Sequence, residues 1–356
     1  MAVLPNNCIF TDRGGITENM HYIHAAVVDA SGTLLYFVGN PSRVTLARST
    51  AKPAQALAIL ETGALDQYGL DDGDVAPMCA SHSSEHVHVA RATDMLRKID
   101  AREQDLQCGG HASLSETVNA GWIKASLVPS AIHSNCSGKH AGMIGGAKAL
   151  TTRSDGYHLP GHPMQVRVQQ VFSELSGLDA QDIEWGIDGC NLPAPALPLM
   201  NLARVYCGLA ASADEAAVSS AAPAPRSQHL SRIFGAMAQN PRLVAGQGRF
   251  CTVLMEAYKG VLVGKLGADG CYGVSVRVSD QTIALGAEGA IGIAVKVEDG
   301  NIGILYSAVV EILQQLGIGT TATWEVLEGF HRPRLINTAG MVTGSLHFSF
   351  RVQRAS

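Results

Sequence analysis

Much is missing from this 356-residue chain, and each absence removes a class of function. Charged side chains supply only 16% of it and hydrophobic ones 46%, which is too apolar and too lightly charged for a disordered chain. There is no basic surplus. The formal net charge of -5 gives no electrostatic case for nucleic acid or an anionic membrane surface. No run of about eighteen residues is free of charge and turn signals, as a membrane span requires. The apolar stretch over residues 23–38 is broken by Asp29-Ala30-Ser31-Gly32, which reads as a hairpin turn. The N-terminus has neither a basic head nor a signal-peptide core, so a cytoplasmic protein is expected. The eight cysteines fall far below disulfide-scaffold density and contain no CxxC pair, which argues against thioredoxin-like redox chemistry and zinc fingers. Among thirteen histidines there is no HExxH, and Gly246-Gln-Gly248 lacks the strand–turn–helix context of a dinucleotide site. No period of 20–50 residues repeats, which excludes solenoids and propellers.

What is present is abundant glycine, 38 residues, spread as turn punctuation between short patterned segments. Residues 23–28 and 33–38 read as paired strands around Ser31-Gly32. A helix is expected from Pro53 to Leu60, with Gly63 as terminator. Another is expected over Glu85–Ile99, capped by Ser83 or Ser84, with an irregular polar stretch at 105–121. Helices follow Cys136 and Pro163, the latter turning Val166, Val168 and Val171 to the core. The prolines of 192–198 exclude a regular helix there. A helix is expected at about 199–211, then a flexible surface loop over 211–226. Strands are read at 261–265, 273–278, 282–285 and 289–297, followed by a hairpin turn at 298–300 and a helix over 304–316. The pattern predicts one α/β or α+β domain spanning residues 1–356. Its mixed sheet is completed by both termini, and a helical portion at about 50–240 is inserted between them.

Two serine-containing elbows stand out: Arg48-Ser49-Thr-Ala-Lys52 and Cys79-Ala-Ser81-His-Ser83. If a helix starts near Ser49, the i, i+3 spacing puts the Ser49 hydroxyl and the Lys52 ammonium on one face. A lysine beside a serine can take its proton in a site dry enough to favour the neutral amine. The competing reading is a capping serine and a solvent-facing lysine. Lys265 ends a strand-like Val261-Leu-Val-Gly run and precedes Leu266-Gly267. This is similar to the Lys-Thr-Gly strand of serine β-lactamases; alternatively, Lys265 is a gatekeeper on an edge strand. Arg48 is a candidate bidentate clamp for a substrate carboxylate, or one half of a surface ion pair.

A second constellation joins Cys136-Ser-Gly-Lys139-His140 to Asp188-Gly-Cys190. Two thiolates suit a borderline-soft metal such as zinc, with Asp188, Lys139, His133 and His140 as further candidates. From spacing alone His140 outranks Lys139, because lysine is rarely neutral enough to ligate. Two unrelated buried thiols are the alternative. His82, His86 and His88 crowd one stretch without sharing a helical face. His111 and His162 are expected to hold loops together.

Taken in order, these motifs, together with His162-Pro-x-Gln165, Val244-Ala-Gly-x-Gly-Arg249, Gly264-Lys265-x-Gly-Ala-Asp-Gly270 and Ile16-Thr-Glu-Asn-Met-His21, resemble the asparaginase II family of the rhizobial type over about residues 10–340. The resemblance implies an L-asparaginase that converts free L-asparagine to L-aspartate and ammonia, a fold similar to serine β-lactamases and glutaminases, and a homodimer. It implies Ser49 with Lys52 as a first catalytic pair and Ser81 with Lys265 as a second. It further implies a zinc site of Cys136, Lys139 and Cys190, with Asp188 beside it, so Lys139 displaces His140 as the expected ligand. Asn19, Asn191 and Gly109-Gly110-His111 depart from the usual neighbours without removing a key side chain. The Ser-Asp-Asn element of β-lactamases and serine peptidases is absent.

Overall fold

The computed structural model describes residues 5–151, 153–218 and 223–356, and its mixture of helices and antiparallel sheet is an α+β fold. It divides into two compact units. One comprises Met1–Thr50, Leu197–Ala211 and Val253–Ser356; the other comprises Ala51–Ala196 and Ser212–Thr252.

The first unit is built on a sheet in the order Leu346–Phe348, Cys8–Arg13, Ile16–Asp29, Ile291–Val297, Cys271–Val276, Leu262–Gly267. Leu34–Val38 pairs with Ile16–Asp29 on one side and Gln353–Arg354 on the other. Strands from the two ends of the chain are therefore neighbours, with Val27 opposite Ile293 and Thr11 opposite Leu346. Each of these pairings is antiparallel. Every residue of Ile291–Val297, Cys271–Val276 and Leu262–Gly267 is buried, as expected for strands covered on both faces. Gly292 makes this cover possible: a Cβ there would collide with the carbonyl of Ala203, on the helix Leu199–Val218.

The second unit is mainly helical. Lys52–Leu60 is buried at every position, and so are residues 137–147 of the helix Ser137–Thr151. The latter is rich in glycine and alanine, so neighbours approach closely; a Cβ on Gly138 would strike Pro77 in the helix Asp72–Met78. His86–Lys98, Pro163–Ser176 and Pro225–Gln239 pack around this centre. A hairpin pairs Glu184–Ile187 with Pro193–Pro198, which is extended as its prolines require.

Several expectations are corrected. Residues 282–285 are not a strand. Ser279 caps a short helix, Asp280–Ala284, in a reciprocal bond pair with Thr282. The turn at 298–300 leads into the helix Ile302–Gln315, capped by Asn301, and makes no hairpin. The expected loop over 211–226 is helical through Val218, because alanine is the best helix former; residues 219–222 of it lie outside the described residues. The irregular stretch contains a helix, Glu116–Lys124. Val166 is 40% exposed, whereas Val168 and Val171 are buried. Among the described residues, no helix is long and apolar enough to cross a membrane.

Candidate active site

Arg48–Ala51 forms a single 3-10 turn. Arg48 enters it at φ 50°, the left-handed region that an L side chain adopts only under strain. The turn is pinned by Thr50, whose hydroxyl donates to Ala47 O (2.6 Å) and whose carbonyl accepts from Tyr206 OH (2.8 Å). Ser49 therefore sits in a rigid, strained turn, half-buried. Arg48 is ion-paired with Asp269.

Lys52 opens the next helix, with Pro53 beside it at a position where a missing N–H costs nothing. Its side chain is fully buried, so it is not the solvent-facing lysine of the competing reading. The ammonium donates to the carbonyl of Ala80 and to Ser81 Oγ at 3.1 Å. This partnership was invisible in the spacing. It depends on the segment between helices Asp72–Met78 and His86–Lys98, which runs over Ser81 and is fixed by a dense set of bonds. Ser81 N–H donates to Val244 O (3.0 Å) and Ser83 N–H to Ala245 O (2.8 Å). His82 N–H donates to Asn135 O (3.3 Å), and Ser84 Oγ to His133 O (2.6 Å). The serines expected to cap the following helix are thus engaged elsewhere. Glu85 is the cap residue, with His88 Nδ1 accepting from its N–H (3.0 Å).

Cys136 precedes the helix Ser137–Thr151 by one residue, and Lys139 lies three positions on, which places both on one face. Cys190 comes from the tight loop between Ile187 and Pro193. There Asn191 N–H returns to Asp188 O (2.8 Å), and Asn191 takes φ 72°, a conformation asparagine tolerates. Lys139 Nζ is 3.1 Å from Cys190 Sγ, and Asp188 Oδ2 is 3.8 Å from the same sulfur. Cys136 Sγ donates to Asn135 Oδ1 (2.9 Å), and its titration is tied to that of Cys190, so the two are not unrelated thiols. Interaction with Cys136, with Lys139 adding to it against burial, pulls Cys190 down to about 5. Cys136 is pushed up to about 12 by the same interaction and by burial. Burial opposes the charge of Lys139, but the two sulfurs and Asp188 outweigh it and hold the ammonium above its ordinary range. The helix turns His140 the other way, to Tyr157 OH at 2.6 Å.

Among the described residues, no group of three or more His, Cys, Asp or Glu side chains is arranged to hold a metal ion. The converging donors here are two sulfurs and an amine, a set of three only because lysine is counted. Lys265 lies in the strand Leu262–Gly267, opposite Gly273, 1% exposed, with its ammonium donating to Leu266 O (2.6 Å). A gatekeeper lysine would be exposed. His111 accepts from Asn135 N–H (3.0 Å) and holds a loop, whereas His162 caps the helix Pro163–Ser176 by accepting from Met164 N–H (3.1 Å).

Residues 9–348 match the sequence profile of a family described as L-asparaginase II. No curated protein matches the chain.

Proposed function

This chain belongs to the L-asparaginase II family, and on that premise we propose that it hydrolyses the side-chain amide of free L-asparagine, giving L-aspartate and ammonia, by a serine–lysine mechanism. The observation that carries the reading is the fully buried Lys52, hydrogen-bonded to Ser81 and three positions beyond Ser49 in its strained turn. Ser49 is the proposed nucleophile. Its Oγ forms a bond to the amide carbon while neutral Lys52 takes the hydroxyl proton. The C–N bond then breaks, the proton passes to the leaving nitrogen as ammonia, and an aspartyl ester of Ser49 remains. Water cleaves that ester, and Ser81 with Lys265 completes the proton relay. Asp188 is the proposed partner of the substrate's ammonium. Arg48, ion-paired with Asp269, is the proposed clamp for the α-carboxylate.

We also propose that Cys136, Lys139 and Cys190 hold zinc. The cluster fits such an ion: two soft sulfurs and a nitrogen converge, and the Cys190 thiol is held below its ordinary range. Lys139 must shed its proton to ligate. A bound zinc would supply a Lewis-acid centre with a fourth position open.

The test is steady-state kinetics on L-asparagine and L-glutamine side by side, with zinc measured on the same preparation. Asparagine should be preferred, since a pocket closed around the shorter chain displaces glutamine's amide carbon from Ser49. A glutamine preference would make the protein a glutaminase, and no ammonia from either would leave a zinc-binding scaffold. Asparagine α-amide and N-acyl asparagine should each lose about 2–4 kcal/mol in kcat/KM, because each deletes one charged contact of the closed amino-acid pocket. Equal turnover of either would reveal a peptide or general amide hydrolase.

A further inference from the structure

His82 follows Ser81 directly, is 1% exposed, and has both ring nitrogens engaged. Nδ1 accepts from Ser84 N–H at 3.1 Å, so the proton is on Nε2, which donates to Ser137 Oγ at 3.0 Å. Its ring lies flat on His88, centroids 4.9 Å apart and 6° from parallel. His88 repeats the arrangement: Nδ1 accepts from Glu85 N–H, and Nε2–H donates to Arg242 O at 2.8 Å. Burial first, then the charges around it, including Lys52 and Arg249, hold His82 well below the ordinary histidine range, so the ring stays neutral. With no lone pair unused, His82 cannot serve as a general base. Its bonds do something else. Ser137 is the first residue of the helix that presents Lys139, and Cys136 precedes it. His82 N–H to Asn135 O and Ser84 Oγ to His133 O also join these segments, but both end on the loop before that helix.

We propose that His82 is a positioning residue, a neutral strut from the segment carrying Ser81 to the helix carrying Lys139, which sets the distance between the serine–lysine pair and the thiol cluster. The proposal rests on the amidohydrolase reading for its kinetic consequence, but not for its structural one.

The test is a double-substitution cycle on the full-length protein. His82→Asn keeps an acceptor for Ser84 N–H and is too short to reach Ser137. Ser137→Ala removes the other end by deleting one oxygen. His82→Gln restores the reach. H82N and S137A should each lower kcat about tenfold or more, with KM within about threefold, an unshifted pH profile and a double variant no worse than the poorer single. H82Q should return to within about threefold of the parent. Hydrogen exchange gives a readout independent of activity: S137A should raise exchange at the amides of residues 81–85, across the strut from the substitution. Parent-like rates, additive losses, or exchange confined to the substituted segment would overturn the proposal. If the parent releases no ammonia, the amidohydrolase reading fails and the exchange result still decides the strut. If H82N does not fold, S137A alone decides it through both readouts.

Discussion

The hydroxyl end and the thiol end of the helical unit each bury a lysine, and the two lysines are kept differently. Lys52 is held by a carbonyl and a serine hydroxyl, both neutral. Lys139 is held by a thiolate, with Asp188 adding its charge. A base has to part with its proton in each cycle. Uncharged oxygen acceptors oppose that step less than a thiolate does. The thiol end therefore suits a fixed charge arrangement, or a metal that takes the proton's place, and the hydroxyl end suits proton transfer. The two ends are electrostatically linked, since Lys52 lowers the proton affinity of both sulfurs.

The comparison breaks most decisively at the hydroxyl end. Ser49→Ala should lower kcat at least ~10³-fold with the fold intact, because a nucleophile has no ready substitute. Lys52→Met should be comparably severe. Ser81→Ala, which removes a proton relay and not the nucleophile, should cost about 10²-fold. Mass spectrometry of quenched reactions should find the aspartyl ester on Ser49. An ester on Ser81, or a larger loss from S81A than from S49A, would exchange the two serines' roles while leaving Lys52 as the shared base.

At the thiol end the effect should appear first in zinc content. A gently purified sample should hold about one zinc per chain. Serine at Cys136 or Cys190 should lose it far more readily than serine at Cys8 or Cys207, two buried cysteines of the other unit. A metal-free, fully active protein would rule out an essential ion. In stripped protein the thiolate absorbance of Cys190 should persist as pH falls and vanish through about 5. The sign follows from a folded pKa below the ordinary thiol value near ~8.5. The stabilisation is complete above that value and is lost as pH falls through about 5. Lys139→Met should move the midpoint upward, by about one unit or more, since a cation is removed. A midpoint that stays put would mean Lys139 does not hold the thiolate.

What the sequence revealed of this arrangement was local. Spacing marks Ser49 and Lys52, a strand-end position marks Lys265, and polar neighbours mark the cysteines. The Lys52–Ser81 bond joins residues of two separate segments, and no periodicity encodes it. On intrinsic chemistry His140 outranks Lys139 as a ligand, but the helix turns His140 onto Tyr157. Thr282 and Ile283 read as strand because β-branched residues favour it, but a five-residue capped turn overrode propensity. Pro225 opens the described helix Pro225–Gln239, and Ala211, Ala213, Ala216 and Ala217 lie in the preceding helix, Leu199–Val218. The C-terminal strands are two or three residues long, too short for an alternation to register. The outline of the sheet was legible because its central strands are long and apolar.

The smallest effect should come from behind the thiol end, and it separates support from chemistry. Tyr157 is 1% exposed, accepts from Gln107 N–H (2.9 Å) and donates to His140 Nδ1 (2.6 Å). Burial and the neighbouring lysines bring His140 down to about 3, so the ring is neutral and keeps its remaining proton on Nε2. Tyr157→Phe deletes one oxygen and leaves a buried N–H and a buried ring nitrogen unpaired, a loss of about 1–3 kcal/mol in unfolding free energy. Denaturant titration should show it as a lower midpoint at unchanged slope. Neither kcat nor zinc content should change by more than about twofold, because Tyr157 faces His140 and not Lys139 or Cys190. A large fall in zinc content would mean that the orientation of the helix Ser137–Thr151 depends on this bond. The back of the helix would then belong to the thiol end, and the division between a chemical face and a supporting face would have to be redrawn.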